Sequence, residues 1–130
     1  MGQNRPLSPH LSIWKWRVNM AASIFHRVSG HALAFAGVLM LCWWLAAAAT
    51  SPEAYETFLG FANSWLGLVM LIGLTWSLFQ HLCSGIRHLV MDTGRGYSLS
   101  VLKMSATWVF AVAALLTILV WAYILLGRGA

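Results

Sequence analysis

Val28 to Pro52 reads VSGHALAFAGVLMLCWWLAAAATSP, and no residue in it carries a formal charge. Two more such windows follow, Thr57 to Ile86 and Met104 to Gly127. The three windows hold 25, 30 and 24 residues. A bilayer core of about 30 Å needs roughly 20 helical residues at about 1.5 Å each. Each window therefore fits one spanning helix. Backbone groups in lipid must be paired within their own segment, which favours helices. Barrel strands would alternate in polarity, and a run such as Ala32 to Ala49 does not. The fold class is an all-α membrane protein with three transmembrane helices.

The whole-chain composition agrees. Of 130 residues, 60% are hydrophobic and only 8% are charged. A soluble domain is about one quarter charged. Three acidic residues, Glu53, Glu56 and Asp92, cannot help to cover a water-exposed surface of this size. A soluble enzyme, a disordered tail and a disulfide scaffold are excluded. The net charge of +5 does not indicate nucleic acid, because the cations are scattered and form no stripe. Cys42 and Cys83 are too few for a disulfide framework or a zinc site. Helical rise puts them roughly 15 Å apart in depth, too far to bridge, and both read as packing residues.

The cations also set the orientation. Arg5, Lys15, Arg17 and Arg27 precede the first window, and Arg87, Arg95 and Lys103 lie between the second and third. The first loop carries Glu53 and Glu56 without a cation, and Arg128 stands alone at the far end. Basic enrichment on the cytoplasmic side puts the N-terminus inside. The expected organisation is one domain over 1–130. It has a cytoplasmic arm over 1–21 and spans over about 28–50, 61–87 and 104–127. Pro6 and Pro9 keep the arm extended. Pro52 stops the first helix, and Asp92-Thr93-Gly94 stops the second. The first apolar run starts too late for a signal peptide. The chain begins with Met and lacks an Arg- and Ser-rich leader, so a bacterial inner membrane is expected ahead of a mitochondrial one.

Polar residues at membrane depth default to function. His81 lies six residues before Arg87, about 9 Å inside the charged boundary. Gly73, Ser77, His81 and Gly85 step by four on one face, and Ser84 and His88 extend it. Two readings stay open. Small residues four apart let a flat ligand approach the helix, and they also let helices pack on each other. If His81 binds a metal, haem iron suits it better than zinc. Zinc wants about three protein ligands near one depth, whereas a bis-imidazole haem needs one more His. On the first helix, Ser23, His26, Arg27 and Gly30 share a face at the same inner boundary. Ser23 can help to start the helix while Arg27 snorkels to headgroups. Alternatively they form a pocket in which Arg27 binds a carboxylate or a quinone oxygen. His31 faces slightly away, as a polar interior or headgroup contact. Most of the eight Trp sit near span ends as belt anchors. Trp14 and Trp16, on the arm, could touch a soluble partner.

Two stretches carry a family resemblance. One is RPLSPHLSIW from Arg5 to Trp14, followed by SIFHRVSG from Ser23 to Gly30. The other is HLCSGIRHLVMD from His81 to Asp92. The chain resembles the cytochrome b membrane anchors of succinate dehydrogenase, respiratory complex II, over essentially its whole length. Trp14 stands where Tyr is usual, and His31 lies outside the pattern.

The resemblance implies half of a heterodimeric bundle that holds haem b. His81 would be one axial ligand, and the second anchor subunit would supply the other. Ser23 and Arg27 would line the ubiquinone site. His26, Arg27 and His88 would lie near the haem propionates, beside Arg87. Asp92 matches an acidic position after the second helix and would be a proton-uptake candidate. The implied partners are a flavoprotein subunit, an iron–sulfur subunit, the second anchor and membrane lipid. No chemistry is expected from this chain alone. A quinol:fumarate reductase anchor is the alternative, and the RPLSPHL arm favours succinate oxidation. A transporter is disfavoured because no carboxylate lies within a window. A cofactor-free structural anchor would leave His81 as ordinary helix packing.

Overall fold

A computed structural model describes residues 8–127. Arg5, Pro6, Leu7 and Arg128, used above for the arm and the orientation, lie outside the described residues. Helix α1 runs Val18–Thr50, α2 Pro52–Asn63, α3 Trp65–Asp92 and α4 Leu99–Gly127. The described residues contain no strand. Helices α1, α3 and α4 are long and apolar enough to cross a membrane.

The helices outrun the charge-free windows on the inner side. Helix α1 begins at Val18, ten residues before its window, so its first turns add about 15 Å of helix. Arg17 is still extended, and the described residues before it hold one 3-10 turn, Leu11–Ile13. The expected arm over 1–21 is thus shorter. Ser23 sits in the second turn of α1 rather than at its start, so it caps nothing there. Helix α3 continues past Arg87 to Asp92, and α4 starts before Lys103.

The second window is not one helix. Phe61 to Asn63 belong to α2, and Ser64 separates α2 from α3. The Ser64 hydroxyl donates to the Phe61 carbonyl at 2.6 Å and accepts from the Gly67 N–H at 3.1 Å. One side chain closes one helix and caps the next. Helix α2 has 12 residues, about 18 Å, too short to span. It packs Phe58 and Ala62 against Ala47 of α1 at the outer end. Both expected stops hold. Helix α1 ends at Thr50 and α3 at Asp92, with Gly94 beyond it at φ 80°.

Helix α3 packs along both α1 and α4, and α1 also touches α4. The contacts are made by small side chains: Ala22, Ala106 and Ala113 are fully buried, as are Ser29 and Ser84. Small residues let backbones approach where lipid offers no hydrophobic drive between helices. Large side chains such as Leu39, Leu82, Leu115 and Ile118 face outward. Cys83 is half-buried and Cys42 is exposed, so Cys42 is not packed within this chain. A widened π turn at Leu33–Gly37 re-phases α1 just after the polar stretch.

Candidate functional site

Three histidines meet where α1 crosses α3 near their inner ends. The His26 and His81 rings stack with centroids 4.1 Å apart and planes at 11°. His88 sits 5.1 Å from His26, tilted by 52°. The His81 Nδ1 lies 3.1 Å from the backbone carbonyl oxygen of His26. A carbonyl only accepts, so Nδ1 carries the proton, and Nε2 of neutral His81 keeps its lone pair. Ser29, one turn on, is fully buried. Its hydroxyl donates to the same carbonyl at 3.0 Å and lies 3.5 Å from His81 Nδ1. Nδ1 of His26 is buried and has no partner.

Two open clefts flank this cluster, and Arg27 lines both. One, of about 370 Å³, is walled by His26, Arg27, Gly30, His31, Ala34 and His81. The other, also about 370 Å³, is walled by Asn19, Met20, Ser23, Ile24 and Arg27. Asn19, Ser23 and Arg27 lie four residues apart on one helix face. The Oδ1 of Asn19 is buried without a partner. A hydroxyl, an amide and a guanidinium on one wall suit a ligand that offers oxygen atoms. A larger groove of about 390 Å³ lies in the outer half, among Gly37, Met40, Trp44, Phe58 and Leu71. Its one hydroxyl on the wall, Thr75, is already donated to the Leu71 carbonyl at 2.8 Å, so the groove holds no chemistry.

Sequence reasoning placed Ser23, His26, Arg27, His81 and His88 at one depth. The structure brings the three histidines into contact, with Ser23 and Arg27 on the adjoining cleft. Asp92 is exposed at the end of α3. Arg87 turns the other way: its Nε donates to the Ser105 hydroxyl of α4 at 3.0 Å. His31 is exposed, as its turn away from the histidines led one to expect. It lines the histidine cleft, with Nδ1 2.7 Å from the Arg27 carbonyl. The stripe of small residues on α3 splits. Ser77 and Ser84 are buried, whereas Gly73 is exposed.

Several residues escaped the sequence reading. Asn19 could have been found by stepping four back from Ser23. Ser29 lay inside the quoted motif without a role. Gln80 is fully buried, and neither amide atom has a partner; Ser84 Oγ, one turn on, has none either. A count of formal charges passes over such neutral groups. Among the described residues, no three His, Cys, Asp or Glu side chains converge as a metal cage.

Residues 1–120 match the family model described as succinate dehydrogenase/fumarate reductase transmembrane subunit. The succinate dehydrogenase cytochrome b556 subunit of Paracoccus denitrificans is 41% identical over 121 residues, covering 91% of this chain and 92% of that one. The cytochrome b556 subunit of Rickettsia felis is 40% identical over 117 residues, covering 90% of each. The mitochondrial cytochrome b560 subunit of Sus scrofa is 37% identical over 120 residues, covering 88% of this chain and 69% of that one. Three apolar helices and bacterial relatives make the chain a multi-pass protein of the bacterial inner membrane. Matched along most of its length, it belongs to the succinate dehydrogenase/fumarate reductase transmembrane subunit family.

Proposed function

We propose that the chain is the haem b-binding anchor of a succinate:ubiquinone oxidoreductase and forms part of its quinone-reduction site. The observation that carries this reading is the state of His81. Its Nδ1 is committed to a backbone carbonyl, which leaves the lone pair on Nε2, and the residue lines a cleft shared with Arg27. The residues fit a haem. The donor is an imidazole whose Nδ1 is already bonded to a carbonyl, and buried Nδ1 of His26 lacks a partner that a propionate can provide. His81 would hold the iron from this side, with a second His from the other anchor subunit. His26, Arg27 and His88 would face the propionates. A bound haem b would supply a one-electron reservoir beside the quinone.

Succinate gives up two electrons and two protons to become fumarate at a flavin in a separate subunit. An iron–sulfur subunit would supply those electrons at the membrane surface. Ubiquinone takes two electrons and two protons to become ubiquinol. Ser23 donates its hydroxyl to one ring oxygen, and the Asn19 amide extends the same wall. Arg27 stabilises negative charge that builds on the ring oxygen during reduction, the logic of an oxyanion site. Names of relatives that specify succinate dehydrogenase favour this direction over fumarate reduction. The N-terminal arm and the protruding inner ends of the helices face the cytoplasm, where the soluble subunits dock. Asp92 stands at that surface as a proton-uptake candidate.

The test uses the purified complex. His81→Ala should abolish the b-type reduced-minus-oxidised spectrum, and an unchanged spectrum refutes the ligand assignment. Arg27→Ala should impair ubiquinone reduction but leave succinate oxidation by an artificial acceptor intact. Loss of both activities would point to failed assembly and against a quinone site.

A further inference from the structure

Gly30 has an unusual neighbourhood for a helix glycine. A Cβ built on it would lie 2.9 Å from Cε1, 3.2 Å from Nδ1 and 3.9 Å from Nε2 of His81. All three nearest atoms belong to that one ring. Gly30 therefore does not serve a close approach of two backbones, the usual role of small residues in helix pairs. It clears space for a single imidazole. Gly37, two turns on, is ordinary by contrast: its nearest atoms lie 3.7 and 3.8 Å away, within its own helix.

The same ring is fixed on two other sides. Its face stacks on His26 at 4.1 Å, and its Nδ1 donates to the His26 carbonyl at 3.1 Å. The Ser29 hydroxyl shares that carbonyl at 3.0 Å. Three positions of the motif, 26, 29 and 30, thus act on His81 through a ring and a backbone oxygen, a hydroxyl and a missing side chain. We propose that the His26 carbonyl, Ser29 and Gly30 form a cradle that sets the rotation and tautomer of His81, so that Nε2 is the nitrogen presented to the iron. These are positioning residues, and the inference rests on the haem reading above.

The consequences follow from geometry. Alanine at position 30 must push the ring by about half an ångström to restore ordinary contact at 3.4 Å. His26 blocks one direction, so the ring swings and the 3.1 Å bond stretches past useful length. An imidazole that loses this acceptor becomes a poorer electron donor, and its iron becomes easier to reduce. Alanine at position 29 does the opposite. It removes the competing donor and leaves the carbonyl to His81 alone, which makes the ring more electron-rich.

The experiment compares Gly30→Ala, Ser29→Ala and Gly37→Ala in the purified complex. The readouts are the haem midpoint potential, the low-spin ferric electron paramagnetic resonance spectrum and haem loss to apomyoglobin. The resonance spectrum reports imidazole orientation. Gly30→Ala should raise the potential, shift the spectrum and speed haem loss about 10-fold or more, as changes to the groups that orient a metal-bound histidine do. Ser29→Ala should lower the potential, and Gly37→Ala should match the parent. Parental values for Gly30→Ala in all three readouts overturn the cradle. If Gly30→Ala fails to assemble, Ser29→Ala decides alone: an unchanged or raised potential overturns it. Haem retained by His81→Ala refutes the underlying ligand assignment instead, whatever Gly30 does.

Discussion

Replacing Arg87 separates two roles that neighbouring residues can hold. Arg87 and His88 are consecutive, so they lie about 100° apart around α3. His88 faces His26, whereas Arg87 is half-buried against α4. The Arg87 Nε donates to Ser105 Oγ at 3.0 Å, and that hydroxyl donates to the Leu102 carbonyl at 3.2 Å. The guanidinium Nη2 is 3.5 Å from the same carbonyl, at the outer limit of a hydrogen bond. The side chain thus ties the inner end of α3 to the first turns of α4.

The size of that tie can be bracketed. A hydrogen bond with one charged partner contributes about 1.5–3 kcal/mol in proteins generally. Interhelical bonds in membrane proteins average only about 0.6 kcal/mol, with a maximum near 1.7. Arg87 sits at the water boundary, so its charge keeps part of its solvation, and the lower scale applies. The charge then moves the expectation above that average, to a coupling of about 1 kcal/mol between Arg87 and Ser105. In a rate of thermal dissociation this is about five-fold. The assay is a double-mutant cycle on the purified complex with Arg87→Ala, Ser105→Ala and both, read as dissociation rates. Each single change should destabilise, and the pair should cost clearly less than their sum. Haem content should stay at the parental level throughout. Additive single effects with loss of haem in Arg87→Ala would refute the clamp and place the guanidinium on the cofactor side.

Three further outcomes are expected. Asn19→Ala should raise the ubiquinone KM several-fold with the haem spectrum unchanged, and an unchanged KM would remove Asn19 from the quinone cleft. Gln80→Met exchanges a buried, unpartnered amide for an apolar chain of similar length, which should slow thermal dissociation by about five-fold or more, since such burial costs about 1–3 kcal/mol. Faster dissociation would show that the amide has a partner in the assembled complex. The backbone N–H of Glu53 and the Ser51 hydroxyl hold the Glu53 carboxyl below its ordinary value of 4.5. A depressed folded-state value stabilises α2 above the unfolded value, and this is lost as pH falls through the folded one. Ser51→Ala should raise the Glu53 value in a carbon-13 titration, and no change would refute the part assigned to the Ser51 hydroxyl.

Which features could be read in advance depends on how far each signal reaches along the chain. Spans are written in one dimension, because a charge inside lipid is expensive wherever it sits. The gaps between charges therefore anticipated α1, α3 and α4, and the stops at Thr50 and Asp92. The same rule hid α2. Ser64 breaks the second window with a neutral hydroxyl, and a count of charges does not register it. The inner helix ends were misjudged for a related reason. Charge marks where lipid ends, but a helix ends where its backbone bonds do, so α1 starts at Val18, nine residues before the charge at Arg27.

The site divides in the same way. Ser23, His26 and Arg27 on one helix, and His81 and His88 on another, were legible because polar groups at helical spacing stand out against an apolar background. What periodicity cannot give is the neighbour on the next helix. The sequence leaves Arg87 and His88 as one basic pair; only the crossing of α1 and α4 over α3 sends one to a clamp and the other to the histidines. Gly30 is the extreme case. Read along its own helix it shares a face with Ser23, His26 and Arg27, but nothing local says what it makes room for. Its meaning resides in a ring that arrives from position 81, with bond and stack already in place. A residue that works by leaving space can be recognised only once the occupant of that space is known. For that reason a single methyl group at position 30 probes the site more sharply than removal of any of its polar side chains.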